Sequence, residues 1–169
     1  PGGGGAANLY PLEWESVSCD SATGRCAARS AKAWAYSNPI FVDANGTAYI
    51  GSADHAFYAI RADGSLAWKF LTGEIIDSSA LLDDRGRVYV PSGDAHLYAL
   101  DRATGREVWR FRAHTPEEVE KLHGIEVFNI DWWEGNVAIL PDGTLIAGND
   151  NYLYYRIDRD TGKERGHWL

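Results

Sequence analysis

The side chains of this sequence with the right types for binding an ion or a polar ligand are Asp54, His55, Asp77, Asp94, Asn149 and Asp150. A second cluster is Asp131, Trp132, Trp133 and Glu134. Carboxylates and side-chain amides offer oxygens to a cation or hydrogen bonds to a polar partner. Adjacent indoles offer flat apolar faces for stacking. None of these residues has the spacing of a catalytic pattern. There is no Gly-x-Ser-x-Gly, no His-Glu-x-x-His and no phosphate-binding loop. A calcium site needs six or more converging oxygens, and no Asp-x-Asp-x-Asp-Gly loop occurs. "SADH", "SGDA" and "NDN" also read as ordinary hairpin turns, in which Asp and Asn bond back to nearby amides. These residues are far apart in the chain, so they act together only if the fold brings their turns to one face.

The elements that must do this are short strands. Internal repeats organise them. "NGTAYIGSADHAFYAI" (45–60) aligns without a gap with "RGRVYVPSGDAHLYAL" (85–100), 40 residues on. "DGTLIAGNDNYLYYRI" (142–157) aligns a further 57 residues on, which is 17 more than the first offset and marks an insertion. Each copy reads as four short apolar runs ended by turn chemistry; in the second copy these are about 78–83, 87–92, 96–101 and 107–112. Four strands in about 40 residues is one blade of a β-propeller. In such a meander, the loop from strand two to strand three shares a face with the connection to the next blade. That face gathers all the candidate residues above, with Asn151, His123 and Glu126. The stretch "TPEEVEKLH" (115–123) reads instead as a short helix inside the insertion, with His123 as a cap at its end.

Composition agrees with this reading. The 169 residues are 45% hydrophobic, with seven Trp, nine Tyr, 18 Gly and no Met, a balance typical of aromatic, turn-rich β proteins. The formal net charge of −8 makes nucleic acid a poor partner. No apolar run reaches the roughly 18–20 residues of a membrane span, and no signal peptide is visible. The opening "PGGGGAANLYP" reads as a flexible linker, left after processing or cut from a longer polypeptide. The sequon "NGT" (45–47) sits in a turn and carries glycan only in a eukaryotic secretory setting.

"SCDSATGRCAA" (18–28) repeats the turn found in "ALDRATGREVW" (99–109) and "RIDRDTGKERG" (156–166). It makes residues 15–36 the last two strands of an earlier blade. Cys19 and Cys26 flank its six-residue turn, within reach of a disulfide. Two reduced, buried cysteines are the alternative. A zinc site lacks two further ligands nearby, and covalent haem needs a Cys-x-x-Cys-His that is absent. A disulfide implies a periplasmic, cell-surface or secreted protein.

"ALDRATGREVW" has the pattern Ala-x-Asp-x-x-Thr-Gly-x-x-x-Trp, carried by Ala99, Asp101, Thr104, Gly105 and Trp109. It resembles the tryptophan-docking motif of pyrroloquinoline quinone (PQQ)-like β-propeller repeats. "AIRADGSLAW" (59–68) keeps Ala59, Gly64 and Trp68 on a shorter turn. The third copy keeps Asp158, Thr161 and Gly162, has Gly166 in the Trp slot, and offers Trp168 as a substitute through a bulge. The resemblance covers about residues 15–169. It implies either of two activities. Quinoprotein dehydrogenases hold PQQ and calcium on the propeller axis above two adjacent cysteines; related non-enzymatic propellers bind other proteins. This sequence has no adjacent cysteine pair.

The expectation is therefore an all-β fold, a β-propeller of four-stranded antiparallel blades with about three and a half blades present and one short helix. Residues 1–14 are a linker, 15–36 a half-blade, 37–71 and 77–112 two blades, 113–130 the insertion and 131–169 the third blade. The expected role is a non-enzymatic binding scaffold of an exported or bacterial envelope protein, with no cofactor. The alternatives are part of a PQQ- and calcium-dependent dehydrogenase, or a carbohydrate-binding propeller that stacks Trp132 or Trp133 on sugar. Open blade faces call for a longer chain, a second chain or another protein partner.

Overall fold

A computed structural model of the chain describes residues 15–19, 26–30, 40–128, 132, 133 and 135–169. Two units are distinguished, 1–37 and 38–169. In the first, β1 (Glu15–Cys19) and β2 (Cys26–Ser30) pair antiparallel, with Cys19 directly opposite Cys26. The cysteine side chains lie outside the described residues.

The second unit contains three antiparallel four-stranded meanders among the described residues. Sheet one holds β3 (Phe41–Val42), β4 (Ala48–Gly51), β5 (Ala56–Ile60) and β6 (Leu66–Leu71). Sheet two holds β7 (Leu81–Leu82), β8 (Arg87–Pro91), β9 (His96–Asp101) and β10 (Glu107–Arg112). Sheet three holds β11 (Val137–Ile139), β12 (Leu145–Gly148), β13 (Tyr154–Ile157) and β14 (Glu164–Trp168). Among the described residues there is one helix, α1 (Pro116–His123), which falls between the second and third sheets in chain order. The fold is thus the expected β-propeller architecture.

Turn chemistry sets the meanders. Asp101 Oδ1 accepts from both the backbone N–H and the hydroxyl of Thr104, and Gly105 takes φ 72°. Asp158, Thr161 and Gly162 repeat this arrangement. Asp43 and Asp83 each accept two amides of their own turns and also the hydroxyls of Tyr49 and Tyr89. Capping fixes the helix: Thr115 and Glu118 form a reciprocal capping box, and the Gly124 N–H donates to Glu120 O. The C-terminal cap is therefore backbone at Gly124, in the left-handed conformation. His123 is a basic residue of the last turn, where the sequence placed it, and its ring lies 5.2 Å from that of His167.

Alternation of side chains about the strands builds the core between sheets. Val88, Val90, Tyr98 and Leu100 of sheet two meet Tyr49, Phe57, Ala59 and Trp68 of sheet one. The other face of sheet two, with Tyr89, Leu97, Ala99 and Trp109, meets Val137, Leu145, Ala147, Tyr155 and Ile157 of sheet three. In each of these three sheets the outer strand carries one extra residue, just before Trp68, Trp109 and Gly166 respectively. The register therefore shifts at Ala59/Ile60, at Glu107/Trp109 and at Arg156/Ile157. This bulge sets Trp68 opposite Ala59 and Trp109 opposite Ala99. Trp68 Nε1 donates to Arg102 O (2.9 Å) in the third-strand turn of the next sheet; Trp109 Nε1 donates to Arg159 O (3.0 Å). In sheet three the same register sets Gly166 opposite Arg156. Trp168 falls two residues farther on, opposite Tyr154 and 49% exposed, so it does not fill the Trp slot.

Candidate functional site

The loop face of the second unit is assembled by backbone pairing. The segment leading into sheet two threads past two neighbouring turns: Ile76 N–H donates to Ser52 O and Gly93 N–H to Ile75 O. The segment leading into sheet three does the same, with Trp133 N–H on Ser92 O and Asp150 N–H on Trp132 O. The pair Trp132-Trp133 therefore stands where Ile75-Ile76 stands one blade earlier, and the extra residues of the insertion precede it. Trp133 is a core residue like Ile76. It is fully buried, with ring centroids 5.3 Å from Tyr155 and 6.1 Å from Phe111, and it leaves no face for a sugar. Trp132 is half-buried. Asp131 and Glu134 lie outside the described residues.

The acidic residues of this face serve their own hairpins first. Asp54 accepts from Ala56 N–H and from the Tyr58 hydroxyl at 2.5 Å. Those bonds to the charged form hold its carboxyl below the usual range. Asp94 accepts from His96 N–H and the Tyr98 hydroxyl, and also reaches across to Gly73 N–H at 2.7 Å. Burial, then the bond to Asp94, pushes the Tyr98 hydroxyl up. His55 takes φ 67°, the left-handed turn position that Ala95 and Tyr152 occupy in the next two sheets. It is part of the hairpin geometry.

Asp77 and Asp150 differ from these. Asp77 is exposed in the segment leading into sheet two. Asp150 is raised above the usual carboxylate range, mainly by burial and next by the charge of Asp77. Asp150 also lines an open hollow of about 400 Å³ with Asn136, Tyr152 and Tyr154. Asn149 caps the adjoining turn by accepting from Asn151 N–H. Asn151 escaped emphasis in the sequence but ties the insertion down. Its Nδ2 donates to His114 O and to the Tyr155 hydroxyl, both at 2.7 Å, and His114 N–H donates to the same hydroxyl. Burial pushes the Tyr155 hydroxyl up to about 12.

Among the described loop-face carboxylates, Asp54 and Asp94 are taken up by their own hairpins, and Asp77 acts on Asp150 through its charge. Among the described residues the one group of three metal-binding side chains with donor atoms within 4.8 Å of one another is His114, Glu164 and His167.

Residues 15–165 match the family profile described as outer membrane protein assembly factor BamB, a PQQ-type repeat family. The chain belongs to this family. BamB from Moraxella catarrhalis superposes with a TM-score of 0.58 at 19% identity, over 78% of this chain and 36% of that one. Quinohemoprotein alcohol dehydrogenase from Comamonas testosteroni gives 0.59 at 22% identity, over 73% and 19%. A europium-containing methanol dehydrogenase gives 0.61 at 21% identity, over 79% and 32%. These likenesses establish a shared fold, and the chain spans about a third or less of each of those proteins. No curated protein matches the sequence. Among the described residues no helix is long and apolar enough to cross a membrane.

Proposed function

We propose that this chain is a segment of a larger propeller that works as a non-enzymatic binding scaffold in an exported or envelope protein. Its ligand or partner surface is the loop face bearing the insertion, with Asp77, Asp150 and Trp132 the residues least committed to the scaffold. The BamB-type profile supports a role in protein binding, and its description as an outer membrane assembly factor supports an envelope location. The dehydrogenase reading has fold likeness on its side, but the acidic turns of this chain are already bonded internally.

One observation carries the larger-propeller reading. The face of sheet two that receives sheet three has its counterpart on sheet three in Ile146, Tyr154, Arg156 and Gly166. There Tyr154 is 56% and Trp168 49% exposed. Soluble proteins seldom leave such an aromatic sheet face open, and repeat units bury their cores against neighbours. The occupant of that face is a further blade of the same propeller. Light scattering with size-exclusion chromatography tests this. The chain by itself should self-associate through its open faces. A well-folded, stable monomer of 18.7 kDa would overturn the reading.

The proposal extends to Cys19 and Cys26 as a disulfide. Opposed Cα atoms of antiparallel strands lie about 4.5–5.5 Å apart, within the range a disulfide spans. A bridge over so short a loop stabilises the hairpin by about 2–3 kcal/mol. The unreduced chain should weigh two hydrogens less than the reduced one. Prompt labelling of both thiols without reductant would show that the bridge is absent.

A further inference from the structure

The insertion gathers histidines that are far apart in the sequence. His114 is its second residue, two after the end of β10; His123 ends α1; His167 lies on β14, three residues after Glu164. Glu164 sits between two imidazoles: its Oε2 is 3.0 Å from His114 Nε2 and its Oε1 is 2.6 Å from His167 Nδ1. The ring of His167 is 4.8 Å from that of His114 and 5.2 Å from that of His123. All of these side chains are half-buried. We propose that His114, His123, Glu164 and His167 form a site for a divalent transition ion of the zinc class, which fastens the insertion helix to the outer strand of the third blade.

Three features carry this. First, the donor set has the right chemistry. Imidazoles with one carboxylate suit zinc and its neighbours, whereas calcium and magnesium take oxygen ligands. Second, the spacing is close to what an ion needs. Ligands at bond lengths of about 2.0–2.2 Å around a tetrahedral ion lie roughly 3.3 Å apart. The two His–Glu gaps must therefore open by less than ~1 Å, and the widest donor separation, within 4.8 Å, must close by up to about 1.5 Å, with the ion taking the place of the protons now shared across the His–Glu gaps. Third, one buried imidazole nitrogen next to these donors, His123 Nε2, has no hydrogen-bond partner. Buried polar atoms are rarely left so. A carboxylate that merely accepts from two imidazoles explains the Glu164 contacts but leaves His123 Nε2 unused; a fourth ligand position beside His167 gives it a partner.

The surroundings hold the donors in place. The backbone of His114 is clamped on both sides, its carbonyl by Asn151 and its N–H by the Tyr155 hydroxyl. The ring of His114 stacks edge-on against Tyr155 at 5.5 Å. Such outer contacts fix ligand orientation in metal sites. The helix is held independently by its own caps, so His123 is delivered on a rigid element.

Zinc chloride titrated into the metal-stripped chain, followed by calorimetry, tests the site. One ion should bind per chain. At least roughly 100-fold weaker binding is expected for His114→Ala, His167→Ala and Glu164→Gln, because losing a ligand costs no less than losing one of its supporting contacts. His123→Ala should weaken binding about tenfold, and His96→Ala should leave it unchanged. Zinc should raise the thermal midpoint of the parent chain and not that of His167→Ala. Histidine-labelled NMR of the parent chain needs no variant. Zinc should shift the imidazole signals of His114, His123 and His167 and leave those of His55 and His96 in place. No saturable binding, or equal affinity in the His114→Ala/His167→Ala double variant, would overturn the site. Unchanged affinity in His123→Ala would remove that residue from it.

Discussion

Replacing Trp109 with alanine is expected to lower stability by about 3–5 kcal/mol, the range for losing a buried tryptophan. Trp168→Ala is expected to cost less than about 1 kcal/mol. Both tryptophans lie on the outer strand of a blade. Trp109 is 8% exposed, packs against Tyr89 at 5.8 Å, and gives its indole N–H to Arg159 O in the neighbouring sheet. Its removal opens a cavity between two blades and takes one donor from a carbonyl in a tight turn. Trp168 has half its surface in solvent and stands beyond the slot that the bulge creates. Urea unfolding followed by circular dichroism measures both losses, as shifts of the midpoint at constant slope. Comparable losses at the two positions would show that the position opposite the third-strand alanine has no special role between blades.

That contrast marks where the sequence was informative. The two described turns spelled Asp-x-x-Thr-Gly, at 101–105 and 158–162, are local chemistry: one carboxylate satisfies two groups three residues away, and one glycine accepts a positive φ. Such instructions survive in a linear reading, and with the 40- and 57-residue offsets they located the strands of all three sheets. The bulge was not legible, because the inserted residues Ala67, Val108 and Arg165 share no side-chain signature. The role of Trp132 and Trp133 was hidden for a related reason. Ile75-Ile76 and Trp132-Trp133 do the same work through backbone N–H and C=O groups, on which side-chain identity leaves no trace. Two indoles in a row read as a binding patch, while their structural counterpart is two isoleucines. The acidic turns read two ways, as ordinary hairpin turns and as a binding face, and in the structure a tyrosine four residues on takes up the carboxylates of Asp54 and Asp94. His114 and Glu164 are 50 residues apart, and only the packing of the insertion against β14 brings them together.

Gly162→Ala is expected to cost about 2–5 kcal/mol, and Gly143→Ala only about 1–2 kcal/mol, although both glycines have positive φ. The backbone strain is the same in kind, with φ 69° at Gly162 and 83° at Gly143. The space around them differs. A Cβ at Gly162 would lie 2.6 Å from the indole of Trp109, whereas at Gly143 nothing stands nearer than Arg159 Nε at 3.9 Å. An indole buried between two blades cannot retreat by the required ångström without dragging its strand. If the ring is the obstacle, removing it must relieve the cost. In a Trp109→Ala background, Gly162→Ala should therefore fall to the backbone penalty alone, about 1–2 kcal/mol. The double variant should then be about 1–3 kcal/mol more stable than the sum of the singles predicts. Gly105 faces Trp68 at the same 2.6 Å, so the pair Trp68→Ala and Gly105→Ala should repeat the pattern one blade earlier. Strict additivity in both cycles would mean that the tryptophans do not seat on these glycines, and that the blades are held by the aliphatic contacts of their strands instead.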